Sequence, residues 1–226
     1  MYVYGKNVAK DINSKIEKVY VANNFKEKEI LKNIKAPIVY VDKNKLDKMV
    51  DGVHQGIVLK IADYDYKDIS ELNSDVVVML DHLEDPHNFG AIIRTCEAAG
   101  VKDIIIPKDR SVKVNSTVMK TSAGCLDRVN IYEVTNLVQT INYLKKNNYW
   151  IIGTDIKGTD YKDIDYKGKI VIIIGNEGNG MSRLVKEACD FIATIPMKGE
   201  VNSLNASVAA ALVIYEAVMN RWIMMK

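Results

Sequence analysis

The stretch that decides the fold is residues 169–222, which read KIVIIIGNEGNGMSRLVKEACDFIATIPMKGEVNSLNASVAAALVIYEAVMNRW. Its unbroken apolar run, Ile170–Ile174, is typical of a strand buried on both faces of a sheet. A second short run, Phe191–Ile195, stops at Pro196, and a helix of small and apolar residues follows at Ala206–Met219. Two strand ends and one helix start are therefore predicted to converge on a single pocket.

The turn after the first of these strands is rich in glycine. It reads GNEGNG over residues 175–180, and glycine lets the backbone take positive φ and lets a ligand approach the main chain. It is not a dinucleotide fingerprint, because Glu177 stands where that motif needs its second glycine. Nor is it a phosphate-binding loop, because Met181 stands where a lysine must grip the phosphate. The turn alone is equally compatible with a tight turn in an ordinary α/β domain.

The polar segment before the last helix favours a binding site. It reads Asn202-Ser203-Leu204-Asn205, and serine and asparagine are preferred at the start of a helix. The same side chains can line a pocket while they cap the helix. The two segments together therefore indicate a site more strongly than the glycine turn does by itself.

Composition restricts the class of protein. The chain has 226 residues, of which 48% are apolar, and its net charge is only +2, so any binding of nucleic acid must rely on a local basic face. Three cysteines without a CxxC pair and three histidines without ligand spacing predict a reducing compartment and no structural metal. Neither a signal peptide nor a membrane-spanning run is apparent, which predicts a cytoplasmic protein with no membrane partner.

Residues 1–61 predict a small α/β module carrying many lysines, which usually form a solvated helix face. Its predicted strands and helices alternate, at 19–21, 26–35, 38–41, 43–50 and 57–61. Residues 62–74 lose the apolar periodicity and are predicted to be a linker.

Residues 75–226 predict a larger α/β domain. Val76–Leu80 is a fully apolar strand, Asp85 and Pro86 start a helix that Gly100 ends, and the next strand lies within Val101–Pro107. The pattern continues with a helix near 112–122, a strand near 129–132, a helix at 137–146 and a strand at 149–154. This order predicts a doubly wound parallel sheet, whose ligands bind beyond the carboxyl ends of the strands. The polar clusters at 85–94, 175–180 and 202–205 all fall at such ends.

Three of these segments carry a resemblance to a known family. NFGAIIR (88–94), GNEGNG (175–180) and SLNAS (203–207) resemble, in order, the three motifs of the SpoU (TrmH) branch of the SPOUT methyltransferases. DPHN (85–88) and the stretch ending in PKDRS (107–111) resemble the RlmB group of 23S rRNA (guanosine-2′-O)-methyltransferases. The N-terminal module, with HQG at 54–56, resembles that group's substrate-binding domain, which has an L30e-like fold.

The resemblance covers nearly the whole chain and implies a fold and a cofactor. It implies a deep trefoil knot at the C-terminus, S-adenosylmethionine bound in that knot, and a homodimer in which each site is completed by the partner. One departure from the family's motifs is Ala206, where the family commonly has valine. The implied cofactor contacts and their neighbours are Gly175, Ile195, Leu204, Thr154, Asp155 and Met197.

The resemblance also implies the catalytic residues. In the family a ribose 2′-hydroxyl attacks the cofactor's methyl group, with Arg94 proposed as the base and Asn88, Glu177, Ser203 and Asn205 around it. Because arginine is effectively always protonated, Arg94 is expected either to hold phosphate and oxyanion charge or to act together with an RNA phosphate. Without the motif, Arg94 would be interpreted as an exposed helix arginine and the other four as turn or helix-capping residues. His82 and His87 lie near the first motif but are left out of the predicted site.

An RNA substrate requires a basic surface. Four basic residues at or beyond predicted strand ends are expected to form a rim that meets phosphates, namely Lys108, Arg110, Lys113 and Arg128. Arg110 lies in the PKDRS stretch and is the strongest of the four. Two alternatives remain open, which are 2′-O-methylation of tRNA and a non-catalytic RNA-binding or ribosome-assembly protein on the same fold.

Overall fold

A computed structural model describes residues 1–12 and 15–224. The N-terminal part contains β1 (Tyr2–Tyr4), α1 (Lys6–Asp11), β2 (Ile16–Ala22), α2 (Glu29–Lys32), β3 (Ile38–Val41), α3 (Lys43–Met49) and β4 (Ile57–Ile61). The second part contains β5 (Val76–Leu80), α4 (Pro86–Ala98), β6 (Asp103–Pro107), α5 (Ser116–Thr121), β7 (Asn130–Val134), α6 (Leu137–Lys146), β8 (Tyr149–Asp160), β9 (Lys169–Ile174), α7 (Arg183–Glu187), β10 (Phe191–Thr194) and α8 (Ala206–Met224).

The N-terminal part forms a four-stranded mixed sheet in the order β1-β4-β2-β3. The strands β1 and β2 are antiparallel to β4, and β3 is parallel to β2. The three strands expected from the sequence are present, but β1 and α1 were not expected, because three residues are too few to establish a strand pattern and six too few to establish a helical one. The predicted helix at 26–35 is reduced to α2, in which Ile30 and Leu31 are the buried residues.

The second part contains a six-stranded, wholly parallel sheet in the order β10-β8-β9-β5-β6-β7. Successive side chains along β5 enter two different cores. Val76, Val78 and Leu80 pack on the side of α4, α5 and α8, whereas Val77 and Met79 pack on the side of α6 and α7. Burial on both faces explains the unbroken apolar runs, and the doubly wound parallel sheet predicted from the sequence is confirmed.

The strand β8 is longer than expected and bulges at its carboxyl half. Ile192 of β10 pairs with Gly153, but the next residue, Ala193, pairs with Thr159, so residues 154–158 lie outside the register. Gly158 permits the close approach, since a Cβ atom there would lie 2.3 Å from the carbonyl oxygen of Ile192. The bulge therefore projects from the carboxyl edge of the sheet, where the polar segments collect.

The segment between the two parts is attached to the large sheet. Tyr64 and Tyr66 pack edge to face with ring centroids 5.1 Å apart, and both lie against the core that contains α4 and α8. The Tyr66 hydroxyl accepts a hydrogen bond of 3.0 Å from the backbone N–H of Val114. Lys67 forms a parallel bridge with Tyr132 of β7. Residues 62–74 thus connect the two sheets along a defined path.

The last helix, α8, is buried along one side by small and apolar residues. Ala210, Val213, Ile214 and Ala217 are at most 1% exposed and belong to the core shared with α4 and β9. Alanine at two of these positions lets the helix approach its neighbours closely. This packing fixes the start of α8 beside the start of α4.

Candidate active site

The side chain of Asn88 joins the three polar segments. Its Nδ2 atom donates a 2.8 Å hydrogen bond to Oε1 of Glu177, and its Oδ1 atom accepts a 2.9 Å hydrogen bond from Nδ2 of Asn205. Asn88 is 6% exposed, whereas both of its partners are exposed. One buried amide therefore connects the start of α4, the glycine-rich turn and the start of α8.

Helix capping does not explain Asn88 or Glu177. Asp85 is the N-cap of α4 and accepts from the backbone N–H of His87, so Asn88 is free to point toward the other segments. Glu177 bonds Asn88 and lies several residues before α7. Asn205 has both functions, because its Oδ1 atom also accepts from the backbone N–H groups of Ser207 and Val208.

The glycine-rich turn is closed by its own backbone. Asn176 and Gly180 exchange two backbone hydrogen bonds of 2.9 Å. A Cβ atom on Gly175 would lie 2.4 Å from the carbonyl carbon of Gly180, so only glycine fits there. The Oδ1 atom of Asn176 accepts from the backbone N–H groups of Gly178 and Asn179. These bonds hold Glu177 at the outer corner of the turn.

Close packing beneath the site explains the glycine in the first motif. A Cβ atom on Gly90 would lie 1.8 Å from Oγ1 of Thr121 and 3.1 Å from the backbone nitrogen of Ser122. The helices α4 and α5 therefore touch at a position that has no side chain. Burial of Phe89 on the same turn anchors the helix that presents Asn88.

The connection from β10 to α8 is exposed and weakly tied to the rest of the chain. Residues 195–204 form no backbone–backbone hydrogen bond with any described residue. Ser203 lies in this loop, and its hydroxyl has no hydrogen-bond partner among the described residues. The structure thus brings Asn88, Glu177 and Asn205 together, and Ser203, two residues before Asn205, has no hydrogen bond to any of them among the described residues.

The six expected cofactor positions lie on three segments of one sheet edge. Gly175 follows β9, and Thr154 and Asp155 lie in the bulge of β8. The Thr154 hydroxyl donates a 2.9 Å hydrogen bond to the carbonyl oxygen of Ile173. The other three lie in the loop after β10, which presents half-buried to exposed apolar side chains at Ile195, Met197 and Leu204.

Asp155, in the bulge of β8, forms an ion pair with Lys186. Partial burial raises the pKa of Asp155, but the ammonium of Lys186 at 2.8 Å and the N–H groups of Lys157 and Ile156 outweigh it, so this pKa lies below its usual value. Cys189, whose Sγ atom lies under Gly153, has its pKa raised to about 12, chiefly by burial. It is therefore a neutral thiol at physiological pH.

Arg94 lies apart from the Asn88 cluster. It is exposed on α4, six residues after Asn88, which corresponds to about 9 Å along a helix axis. No described residue forms an ion pair or hydrogen bond with its guanidinium. The guanidinium is therefore available to bind another molecule.

The four predicted RNA-contacting residues do not form one rim. Lys108 and Arg110 are exposed after β6, at the carboxyl edge. Lys113 lies at the same edge, but its ammonium bonds Glu133 and the carbonyl of Pro107. Arg128 lies before β7, at the opposite edge, and its Nε atom is 2.6 Å from Glu97. The expectation that Arg128 shares the rim is wrong in position, because it precedes a strand instead of following one.

Two residues after β5 also contact the site, although the site predicted from the sequence contains neither. Asp81 is 1% exposed, accepts a 2.6 Å hydrogen bond from the backbone N–H of Ser182, and bonds the imidazole of His82. The carbonyl oxygen of His82 accepts a 2.8 Å hydrogen bond from Nδ2 of Asn176. The signal that could have found them is an ionisable pair, Asp81-His82, directly after a buried strand.

The described residues contain neither a candidate metal-binding cluster nor a membrane-spanning helix. Within residues 1–12 and 15–224, no cluster of three or more histidine, cysteine or acidic side chains is arranged to hold a metal ion. None of the helices in this part of the chain has the length and apolar character needed to cross a membrane.

Comparison with known proteins identifies the family. Residues 75–215 match the SpoU rRNA Methylase family. The chain belongs to this family. Residues 2–67 match the RNA 2′-O ribose methyltransferase substrate-binding family, which covers the N-terminal sheet. The resemblance drawn from the three motifs is therefore confirmed at the level of the SpoU (TrmH) family.

Several members of the family are similar over most of their length. A protein of Staphylococcus saprophyticus described as a TrmH-family tRNA/rRNA methyltransferase is 44% identical over 221 residues, which cover 91% of this chain and 89% of that protein. The crystal structure of the SpoU methyltransferase AviRb from Streptomyces viridochromogenes, in complex with AdoMet, has a TM-score of 0.81 at 22% identity, covering 99% of this chain and 91% of that one. The TrmH/SpoU tRNA modifying enzyme of A. aeolicus has a TM-score of 0.63 at 32% identity, covering 68% and 78%.

Proposed function

We propose that this RNA methyltransferase of the SpoU and TrmH family transfers the methyl group of S-adenosylmethionine to a ribose 2′-hydroxyl, and that its target is a guanosine of 23S rRNA. The observation that carries the proposal is the bonding of Asn88 to both Glu177 and Asn205. One residue from each family motif takes part in this cluster. A protein that only bound RNA would have no need to orient these three side chains.

The residues at the carboxyl edge fit S-adenosylmethionine. Ile195, Met197 and Leu204 supply apolar surface for a flat adenine ring, and the loop 195–204 offers backbone donors and acceptors for its edges. A carboxylate, Glu177, and no lysine in the glycine-rich turn disfavour a polyphosphate. The crystal structure of AviRb holds this cofactor in a chain of the same fold. When bound, S-adenosylmethionine supplies an electrophilic methyl group on a sulfonium.

The protein's contribution to the chemistry is positioning and electrostatics. Asn88, held from two sides, keeps Glu177 and Asn205 in fixed places around the reacting ribose, so that the hydroxyl is held near the methyl group. Arg94 remains protonated and binds the phosphate beside the ribose, where it also stabilises the negative charge that develops on the 2′-oxygen. That phosphate accepts the hydroxyl proton. Ser203, exposed in the adjacent loop, donates a hydrogen bond to the RNA.

We propose a homodimer in which Arg94 serves the partner's site. Arg94 lies nearly two helical turns away from Asn88 and has no partner among the described residues of its own chain. The helix α8 also exposes an apolar stripe at i, i+4, i+7 and i+11, formed by Val208, Leu212, Tyr215 and Met219. An exposed stripe of this kind on a helix that is buried on its other side is typical of an interface between subunits.

We also propose the C-terminal trefoil knot and a cytoplasmic location. The chain leaves β9 through the glycine-rich turn, forms α7 and β10, and returns as α8 to pack against α4 and β9. This return path is the part of the chain that would be threaded in a knotted SPOUT fold. An rRNA substrate would place the enzyme in the cytoplasm.

A tRNA substrate is the second candidate. It is favoured by the 32% identity to the A. aeolicus tRNA modifying enzyme, which aligns with 68% of this chain. The rRNA assignment is favoured by the N-terminal part, which matches a substrate-binding family over residues 2–67, and by the DPHN and PKDRS stretches.

The test incubates the purified protein with S-adenosylmethionine labelled in the methyl group and with unmethylated 23S rRNA or tRNA. Nuclease digestion and nucleoside mass spectrometry then identify the product. We expect 2′-O-methylguanosine from the large rRNA only. Label in tRNA would support the proposed reaction but contradict the proposed rRNA substrate. Cofactor binding without transfer to either RNA would favour the non-catalytic alternative.

A further inference from the structure

His82 occupies a backbone conformation that few side chains tolerate. Its φ is +57°, in the left-handed region, which costs a residue with a Cβ atom about 1 kcal/mol. Glycine would adopt this conformation without strain. A histidine there therefore needs a compensating interaction, and strained residues of this kind are concentrated near functional sites.

The compensating interaction is with Asp81. The Nδ1 atom of the imidazole is hydrogen-bonded to Oδ1 of Asp81. The other carboxylate oxygen, Oδ2, accepts a 2.6 Å hydrogen bond from the backbone N–H of Ser182. Asp81 is 1% exposed and the His82 side chain is 28% exposed. Both oxygens of the buried carboxylate are thus occupied, one by the start of α7 and the other by the imidazole.

The left-handed turn also fixes the orientation of the His82 carbonyl. That oxygen accepts a 2.8 Å hydrogen bond from Nδ2 of Asn176, and Oδ1 of Asn176 accepts from the N–H groups of Gly178 and Asn179. Asn176 is therefore held at one end by His82 and holds the glycine-rich turn at the other. Glu177, the next residue, is the member of the turn that bonds Asn88.

We propose that His82 is a positioning residue of the methyltransferase site. Its imidazole, bound to Asp81, holds the left-handed conformation at residue 82. This conformation orients the carbonyl of His82 toward Asn176 and so fixes Asn176. The turn held by Asn176 then places Glu177 against Asn88. The role in catalysis rests on the proposed function, whereas the role in ordering the turn does not. His82 acts through other residues and transfers no proton itself.

The test compares His82→Gly with His82→Ala, since both remove the imidazole but only glycine accepts positive φ freely. In His82→Ala we expect amide hydrogen exchange at Gly178 and Asn179 to accelerate about fivefold to tenfold, in line with a local cost near 1 kcal/mol. We expect kcat to fall by a similar factor with little change in the affinity for S-adenosylmethionine. In His82→Gly both quantities should lie closer to the wild type. His87→Ala removes an exposed imidazole from the adjacent helix turn and is the matched control, expected to change neither.

Three results would overturn the proposal. The first is wild-type exchange and kcat in a folded His82→Ala protein. The second is a His82→Gly protein as impaired as His82→Ala, which would make the imidazole itself the essential group. The third is loss of an ionisation from the pH profile of kcat in His82→Gly, which would indicate proton transfer by His82. The exchange measurement needs no RNA, so it tests the ordering of the turn even if no methyl transfer is found.

Discussion

Nδ2 of Asn88 lies 2.8 Å from Oε1 of Glu177, joining residues 89 positions apart in the chain. Asn88 lies in the first turn of α4, and Glu177 lies in the glycine-rich turn after β9. Because Asn88 also accepts from Asn205, this amide is oriented from two sides and cannot rotate without breaking one bond. The family motifs therefore meet at a single side chain.

Substitution of Asn88 should reduce turnover much more than cofactor binding. In Asn88→Asp a carboxylate would face Glu177, and the repulsion would displace the turn. Since small displacements of positioning groups can cost about 10²-fold in rate, we expect kcat to fall by about that factor. Steady-state kinetics and calorimetry with S-adenosylmethionine measure the two effects. Asn136→Ala removes the cap of α6, which follows β7 at the end of the sheet and contributes no residue to the Asn88 cluster, so it should cost about 1 kcal/mol of stability and leave kcat unchanged.

Arg94→Ala should lose most turnover while it keeps its affinity for S-adenosylmethionine. Arg94→Lys should recover only part, because lysine keeps the charge but not the two-pronged geometry of the guanidinium. Arg183→Ala, which removes an exposed arginine paired with Glu187 in the same helix, is the control. Turnover near the wild type in Arg94→Ala would remove Arg94 from the mechanism.

Mixing two inactive variants tests whether Arg94 acts across the dimer. A heterodimer of Arg94→Ala and Asn88→Ala subunits would keep one intact site if Arg94 serves the partner. Random mixing should then restore about a quarter of wild-type activity. If each site uses its own Arg94, no mixture regains activity. The two variants assayed separately, each as a homodimer, provide the baseline.

A charge on the exposed stripe of α8 should separate the subunits. Leu212→Asp would place a carboxylate within the proposed interface, where burial of an unpaired charge is costly. We expect a monomer by light scattering and a loss of turnover with the fold retained. Val53→Asp alters another exposed apolar residue, in the N-terminal part, and should remain dimeric. A dimeric, active Leu212→Asp protein would contradict the proposed interface.

Arg110→Ala should raise the Michaelis constant for RNA and weaken its dependence on salt. Removal of one phosphate-binding side chain lowers the slope of log K against log salt by about 0.7–0.9. Arg128→Ala is the matched comparison, because Arg128 lies at the opposite edge of the sheet in an ion pair with Glu97 and should leave the slope unchanged. Equal effects of the two substitutions would argue against a rim around Arg110.

Gly90→Ala should destabilise the fold. The added Cβ atom would lie 1.8 Å from Oγ1 of Thr121, so α4 and α5 must move apart. Overpacking of this kind typically costs about 1–3 kcal/mol, which chemical denaturation measures. Gly199→Ala adds the same methyl group where no atom lies within 4 Å, and its free energy of unfolding should match the wild type.

Local sequence patterns predicted most strands and helices of the large parallel-sheet part accurately. The helix at Leu137–Lys146 has the predicted limits, and the strands β5 and β9 coincide with apolar runs. Burial on both faces leaves no polar alternation, so these strands are visible in the sequence. The limits of β8 and α5 were less accurate. For β8 the reason is the bulge at 154–158, which depends on pairing with β10, a strand more distant in the chain.

The sequence by itself determined the family, the parallel sheet and the segments that form the site, because motif order and apolar runs are local properties of the chain. Only the tertiary structure decided which side chains meet. It brought Asn88 to Glu177 and Asn205, placed Arg128 at the far edge, tied Lys113 to Glu133, and connected Asp81 and His82 to the turn. These contacts join residues far apart in the chain, and their geometry follows from how helices pack on the sheet, which no local pattern encodes.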